Sequence, residues 1–156
     1  MKKRLKFLIL VIACIVTICG IFIIRNSLIS PYDFLLKESI KGNTNTRPTE
    51  KIYEVNVDAG KYFIFYINER GSLACAIIKK GYFSYQLLRT SSEILIKNGE
   101  KPFDAIYSSY NSGKSWIDWG VIRDKSIKQV LVNERKAVIK NYMTPKFFIL
   151  MEIVKI

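Results

Sequence analysis

The chain has 156 residues, with 25 Lys+Arg against 13 Asp+Glu for a formal net charge of +12, and 49% of its positions are hydrophobic. That length suits one modest domain, and the absence of histidine excludes Ser/His and Cys/His catalytic arrangements and histidine metal sites. Its 3 cysteines are too few for a disulfide scaffold or a four-cysteine zinc site, and two of them fall inside the apolar N-terminus.

Lys2, Lys3, Arg4 and Lys6 form a basic cluster, and the 18 residues from Phe7 to Ile24 carry no charge. At about 1.5 Å per residue such a helix covers about 27 Å, close to the roughly 30 Å hydrocarbon core, so one bilayer crossing is expected. A cleaved signal has an apolar region of only about 7 to 15 residues and a small-residue cleavage site. Ile23-Ile24-Arg25-Asn26 offers no such site. Val11-Ile12-Ala13-Cys14 resembles the lipobox of bacterial lipoproteins, which would make Cys14 a lipidated N-terminus. The nearly all-apolar stretch after Cys14 argues instead for an uncleaved anchor. Four cations precede the span and Arg25 alone follows closely, which predicts a cytoplasmic N-terminus and an external C-terminal domain. From Arg25 onward, 21 Lys+Arg against 13 acidic residues leave a net of +8 on that domain. The expected organisation is a cytoplasmic basic tip (1–6), a transmembrane anchor (7–24), a juxtamembrane helix and linker (25–50) and an extracytoplasmic β-rich domain (51–156).

Ser30 to Ile40 reads as a short helix, with Ser30 as cap, Pro31 in the first turn and Asp33 at the positive end of the dipole. Gly42 to Glu50 has no apolar residue and reads as a loop. Beyond it, Ile52–Val57, Tyr62–Ile67, Leu73–Ile78 and Tyr82–Leu88 are runs rich in Ile, Val, Phe and Tyr between turn-forming residues, and so read as strands. Both alternate faces of Tyr62–Ile67 are apolar, which marks a central strand covered on two sides by the helix or a second sheet. Cys75, in the run Leu73–Ile78, is expected in the core, because no histidine is present to activate it. Ser91 to Lys114 is hard to assign, with Tyr107–Gly113 read as a polar loop. Order returns at Trp116–Ile122. Ile127–Val132 and Ala137–Ile139 flank the charged turn Asn133–Lys136 as a hairpin, and Phe147–Val154 reads as a buried strand ending the sheet. The fold class is mainly β (a β-rich α+β chain): an N-terminal transmembrane helix, one short helix, and an antiparallel sheet or sandwich of seven to eight strands.

The basic apolar N-terminus, the short helix, the KYFIFYIN strand (61–68), the strand ending in Lys79-Lys80 and the late W-G-V-I-x-D-x-x-I-x-x-V segment (Trp119, Gly120, Val121, Ile122, Asp124, Ile127, Val130) resemble small membrane-anchored extracytoplasmic proteins of low-GC Gram-positive bacteria. The likeness covers about residues 50 to 140 and rests on strand and turn patterns. It implies a compact β-rich domain outside the membrane and carries over no catalytic residue and no cofactor.

Trp116 and Trp119 are candidates for a glycan or partner platform, since exposed aromatic faces stack on sugars and anchor interfaces. Packing in the core competes with that reading, because alternate strand positions send Trp116 with Asp118 to one face and Ile117 with Trp119 to the other. Asp118 and Asp124 could form a glycosidase-type carboxylate pair, but along an extended strand they would lie about 15 to 20 Å apart. Lys79, Lys80, Lys125, Lys128, Arg135, Lys136 and Lys140 are candidates for attraction to anionic lipid or wall polymer, against an ordinary solvated surface that keeps strand edges from pairing. The expected role is non-enzymatic binding or structure at the cell envelope. Alternatives are a regulatory or immunity-type partner of another membrane protein, and an envelope glycan hydrolase. No metal, cofactor or nucleic acid is implied.

Overall fold

The computed structural model describes residues 2–58, 60–96, 101–110, 115–140 and 146–153. Helix α1 runs over Lys2–Ser27, past both ends of the apolar run. Within it Lys6–Ile24 is long and apolar enough to cross a membrane, and none of that stretch is buried by the rest of the chain. Helix α2 (Pro31–Ile40) begins as the sequence dictates. Ser30 Oγ accepts from the Asp33 amide at 3.1 Å and donates to the Asp33 carboxylate at 2.7 Å, satisfying donors that an uncapped helix start leaves open.

Eleven strands follow in the described residues: β1 (Pro48–Asp58), β2 (Lys61–Asn68), β3 (Ser72–Lys80), β4 (Tyr85–Thr90), β5 (Ile94–Leu95), β6 (Phe103–Tyr110), β7 (Ser115–Ile122), β8 (Leu131–Val132), β9 (Arg135–Lys136), β10 (Val138–Lys140) and β11 (Lys146–Ile153). Strands β1-β2-β3-β4 form one antiparallel sheet, with β5 added to β3, and β10-β11-β7-β6 form a second. The chain is therefore β-rich, and its strand count exceeds seven to eight because the Ser91–Lys114 stretch holds β5 and all of β6, and the stretch read as the turn Asn133–Lys136 holds β9. The region read as a polar loop at Tyr107–Gly113 is strand as far as Tyr110, paired with Ser115. Tyr107-Ser108-Ser109-Tyr110 carries no alternating apolar pattern, so it looks like a loop when hydropathy alone is read. β1 starts at Pro48, inside the stretch read as loop. β4 starts at Tyr85 and not Tyr82, because the Gly81 amide donates to the Ser84 carbonyl at 2.8 Å and closes a turn there. β11 pairs with both β10 and β7, so it is interior to its sheet and does not end it.

Strand parity explains the two cores. Odd-numbered Phe63, Phe65, Leu73, Cys75 and Ile77 of the first sheet meet odd-numbered Ile117, Trp119, Val121, Phe147 and Ile149 of the second. Even-numbered Ile64, Tyr66, Ala74, Ala76 and Ile78 turn the other way and bury Leu35 of α2. The helix and the second sheet thus cover opposite faces of β2 and β3, which is why these strands are apolar throughout. At the sandwich centre the Phe65 and Trp119 rings meet edge to face at 5.7 Å, and Phe147 lies 6.3 Å from Phe65, a geometry favoured by ring quadrupoles.

Gly120 is dictated by packing. A Cβ there would lie 2.0 Å from the Asp104 carbonyl oxygen and 2.6 Å from Cε1 of Phe148, its cross-strand partner. The Phe148 ring therefore fills the space that a side chain would take, an aromatic laid over a strand glycine.

Candidate functional site

The seven candidate cations do not share one element. Lys79 and Lys80 end β3 and are exposed. The Lys80 amide donates to the Gly60 carbonyl at 2.7 Å, and Gly60, at φ +82, brings that turn against the Lys80 Cβ. Gly60, Lys80, Tyr82 and Gln86 line an open pocket of about 520 Å³. Lys125 and Lys128 stand exposed on the connection after β7, and Arg135 and Lys136 are exposed on β9. Lys140 ends β10, and its side chain lies outside the described residues. The hairpin differs from the one the sequence implied: its strands are only β8 and β9, while β10, which takes in most of the Ala137–Ile139 run read as its second strand, pairs with β11, and Asn133 and Glu134 alone make the turn, at φ 49 and 66. Arg135 and Lys136 pair with Val132 and Leu131, as left-handed two-residue hairpin turns require.

Trp119 is no platform. It is wholly buried in the sandwich core, and a ring enclosed by Phe65 and its neighbours cannot stack on a sugar or a partner. Its Nε1 has no hydrogen-bond partner among the described residues. Trp116 stands in β7 opposite Ser109 and Glu152, with its side chain outside the described residues. Asp118 pairs with Tyr107 and Leu150 inside the second sheet. Asp124 sits beyond the strand end, where its carboxylate accepts from the Ser126 amide at 2.8 Å. Bonding from Ser126 holds the Asp124 carboxyl below its ordinary value, so this carboxylate closes a turn.

Two polar clusters escape a reading by motif. Asn68, buried between β2 and β3, accepts from the Arg70 and Ser72 amides at 3.0 Å each and donates to Thr46 Oγ1 at 3.2 Å and to Glu93. Arg70 pairs with the other Glu93 oxygen at 3.0 Å. Beside them the Tyr66 hydroxyl is pushed up to about 12, first by burial and then by the nearby Cys75. The second cluster centres on Arg123. Its guanidinium pairs with Asp104 at 2.7 Å and donates to the carbonyls of Leu95, Ile96 and Lys101 at 2.5, 3.4 and 3.3 Å. That fan ties β5 of the first sheet to β6 and β7 of the second. Its only sequence signal is an arginine at the end of a hydrophobic strand.

Cys75 is fully enclosed, and burial pushes its thiol well above the ordinary range, which keeps it protonated and unreactive. Among the described residues no group of three His, Cys, Asp or Glu is placed to hold a metal ion. On the outer face of the first sheet, Phe34 of α2 and Tyr62 of β2 lie 5.9 and 5.8 Å from Tyr85, and the Lys51 ammonium stands over the Tyr32 ring at 5.7 Å. Burial and then Tyr62 raise Tyr85 above its usual value. These rings are partly buried and pack α2 against the sheet, so they serve the fold more than a surface.

Comparison with known proteins finds no family model, no curated protein and no solved structure that matches this chain, so the functional reading rests on its own residues.

Proposed function

We propose that the chain is a single-pass membrane protein whose N-terminus is cytoplasmic and whose β-sandwich stands outside the cell membrane as a non-enzymatic binding module for anionic envelope polymer. The observation that carries this reading is the exposed set of Lys125 and Lys128, on the connection that leads into β8, with Arg135 and Lys136 on β9. The β8–β9 ribbon pairs with neither sheet in the described residues, and both residues of β9 are exposed. The asymmetry of cations about the Lys6–Ile24 span supports the orientation. The resemblance to small extracytoplasmic proteins of low-GC Gram-positive bacteria points the same way. A non-enzymatic role is favoured because Asp118 and Asp124, the candidate carboxylates, have structural places.

The test has two parts. Carbonate-washed membranes are expected to retain the full chain, and protease added outside intact cells is expected to digest its C-terminal domain. The purified chain is expected to bind poly(glycerol phosphate) in a salt-sensitive manner, and the variant Lys125→Glu, Lys128→Glu, Arg135→Glu, Lys136→Glu to lose that binding. Equal binding by the variant would sink the proposal.

A second reading is favoured by the exposure of every described side chain in the apolar stretch of α1. The helix itself would then recognise another membrane protein, as a regulatory or immunity partner does. Exchange of residues 7–24 for an unrelated spanning helix separates the two, since polymer binding survives the exchange and helix recognition does not.

A further inference from the structure

The β3–β4 turn leaves Tyr82 completely exposed and Phe83 65% exposed, directly after the exposed pair Lys79-Lys80. Two adjacent aromatic side chains held in water at a tight turn gain nothing for the fold, and their exposure calls for an apolar partner. The location of the turn identifies it. Ser84 and Tyr85, at its far end, line a pocket of about 230 Å³ together with Phe22 and Ile29. Phe22 belongs to the stretch able to cross the membrane. A turn that shares a pocket with Phe22 lies at the depth of one end of the span, where hydrocarbon gives way to headgroups. Tyr85, held between Phe34 and Tyr62, fixes the base of the turn, and the backbone bond from Gly81 to Ser84 holds its tip.

Resting on the membrane-anchored reading, we propose that Tyr82 and Phe83 insert into the headgroup region of the bilayer crossed by α1, with Lys79 and Lys80 on anionic lipid phosphates, as a second attachment that fixes the domain's orientation. Aromatic rings with one polar end favour that depth. Lysines place their stems along apolar surface and their ammonium groups among phosphates. Leu28, 79% exposed in the connection between α1 and α2, adds apolar surface just beyond the span. The sandwich would then be clamped by two points, with the β8–β9 ribbon left to meet envelope polymer.

The test uses the full chain carrying Phe83→Trp, reconstituted in vesicles of equal parts phosphatidylcholine and phosphatidylglycerol, with brominated lipid as quencher. Fluorescence of the introduced tryptophan is expected to shift to the blue and to be quenched by bromolipid beyond the signal of the parental protein. Adding Lys79→Glu and Lys80→Glu is expected to reduce that quenching in the mixed vesicles. Tyr82→Trp provides an independent reporter at the neighbouring position. Carbonate extraction run on the same vesicles separates two failures. A retained chain whose introduced tryptophan answers to aqueous iodide and not to bromolipid overturns the insertion alone, whereas an extracted chain overturns the anchored reading with it. Protection from iodide in native membranes but not in pure lipid would assign the turn to a protein partner and overturn the proposal.

Discussion

Replacing Gly120 with alanine adds one methyl group, and the structure specifies what that group meets. The nearest atom is the Asp104 carbonyl oxygen at 2.0 Å, where real Cβ atoms stay beyond 3.0 Å. Strand β6, which pairs Ala105 with Gly120, must therefore move by about 1 Å or the Phe148 ring and β7 must yield together. Such a shift stretches about two ladder hydrogen bonds worth roughly 1 kcal/mol each and adds roughly 1 to 3 kcal/mol of overpacking. Alanine returns about 0.5 to 1 kcal/mol by limiting the unfolded chain. Gly120 is not among the glycines at positive φ, so backbone conformation contributes nothing. The balance is a loss of about 3 kcal/mol, or about 10 °C in Tm for a domain of this size. Urea unfolding of the detergent-solubilised full chain, followed by the emission of core Trp119, measures it. Because the closest clash is with backbone, Phe148→Leu is expected not to rescue the variant. A loss below about 0.5 kcal/mol, the range of an ordinary surface change, would refute the packing argument.

Two further predictions follow from the polar clusters. Arg123→Ala removes the pair to Asp104 and three carbonyl bonds and is expected to cost about 2 kcal/mol in thermal unfolding. Arg123→Lys recovers little, because an ammonium cannot reproduce the guanidinium fork, and full recovery by lysine would contradict that role. For Tyr66 the folded value, about 12, lies above the ordinary value of 10.0. Its contribution is therefore complete below pH 10 and disappears as pH rises from about 10 to about 12, a total of about 3 kcal/mol. Tyr66→Phe is expected to flatten the fall in urea midpoint over that window, and parallel curves for the two proteins would count against burial as the cause.

Much of the architecture was legible in residue order. The α2 cap at Ser30, the two-sided burial of β2, the core position of Cys75 and the alternation that buries Trp119 all follow from short-range pattern, because capping and strand parity act over a few residues. Strands β5 and β6 were not legible, since β5 is only two residues long and the Tyr107-Ser108-Ser109-Tyr110 end of β6 carries no alternating hydrophobic signal. The start of β4 was misplaced because a single backbone bond from Gly81 to Ser84 decides where pairing begins.

The sequence by itself determined one apolar segment of spanning length, the charge asymmetry around it, a β-rich remainder and the absence of histidine chemistry. Only the tertiary structure decided which aromatics are spent on the core and which are left exposed. Trp119 was drawn inside because its parity faces Phe65 across the sandwich, whereas Tyr82 and Phe83 fell in a turn that leaves both exposed. It also divided the cations, setting Lys79 and Lys80 beside an exposed aromatic turn and Arg135 and Lys136 on a separate ribbon. Charge and hydropathy are sums over residues and survive in any order of folding, but a surface is made by residues distant in the chain, and only their packing brings them together or keeps them apart.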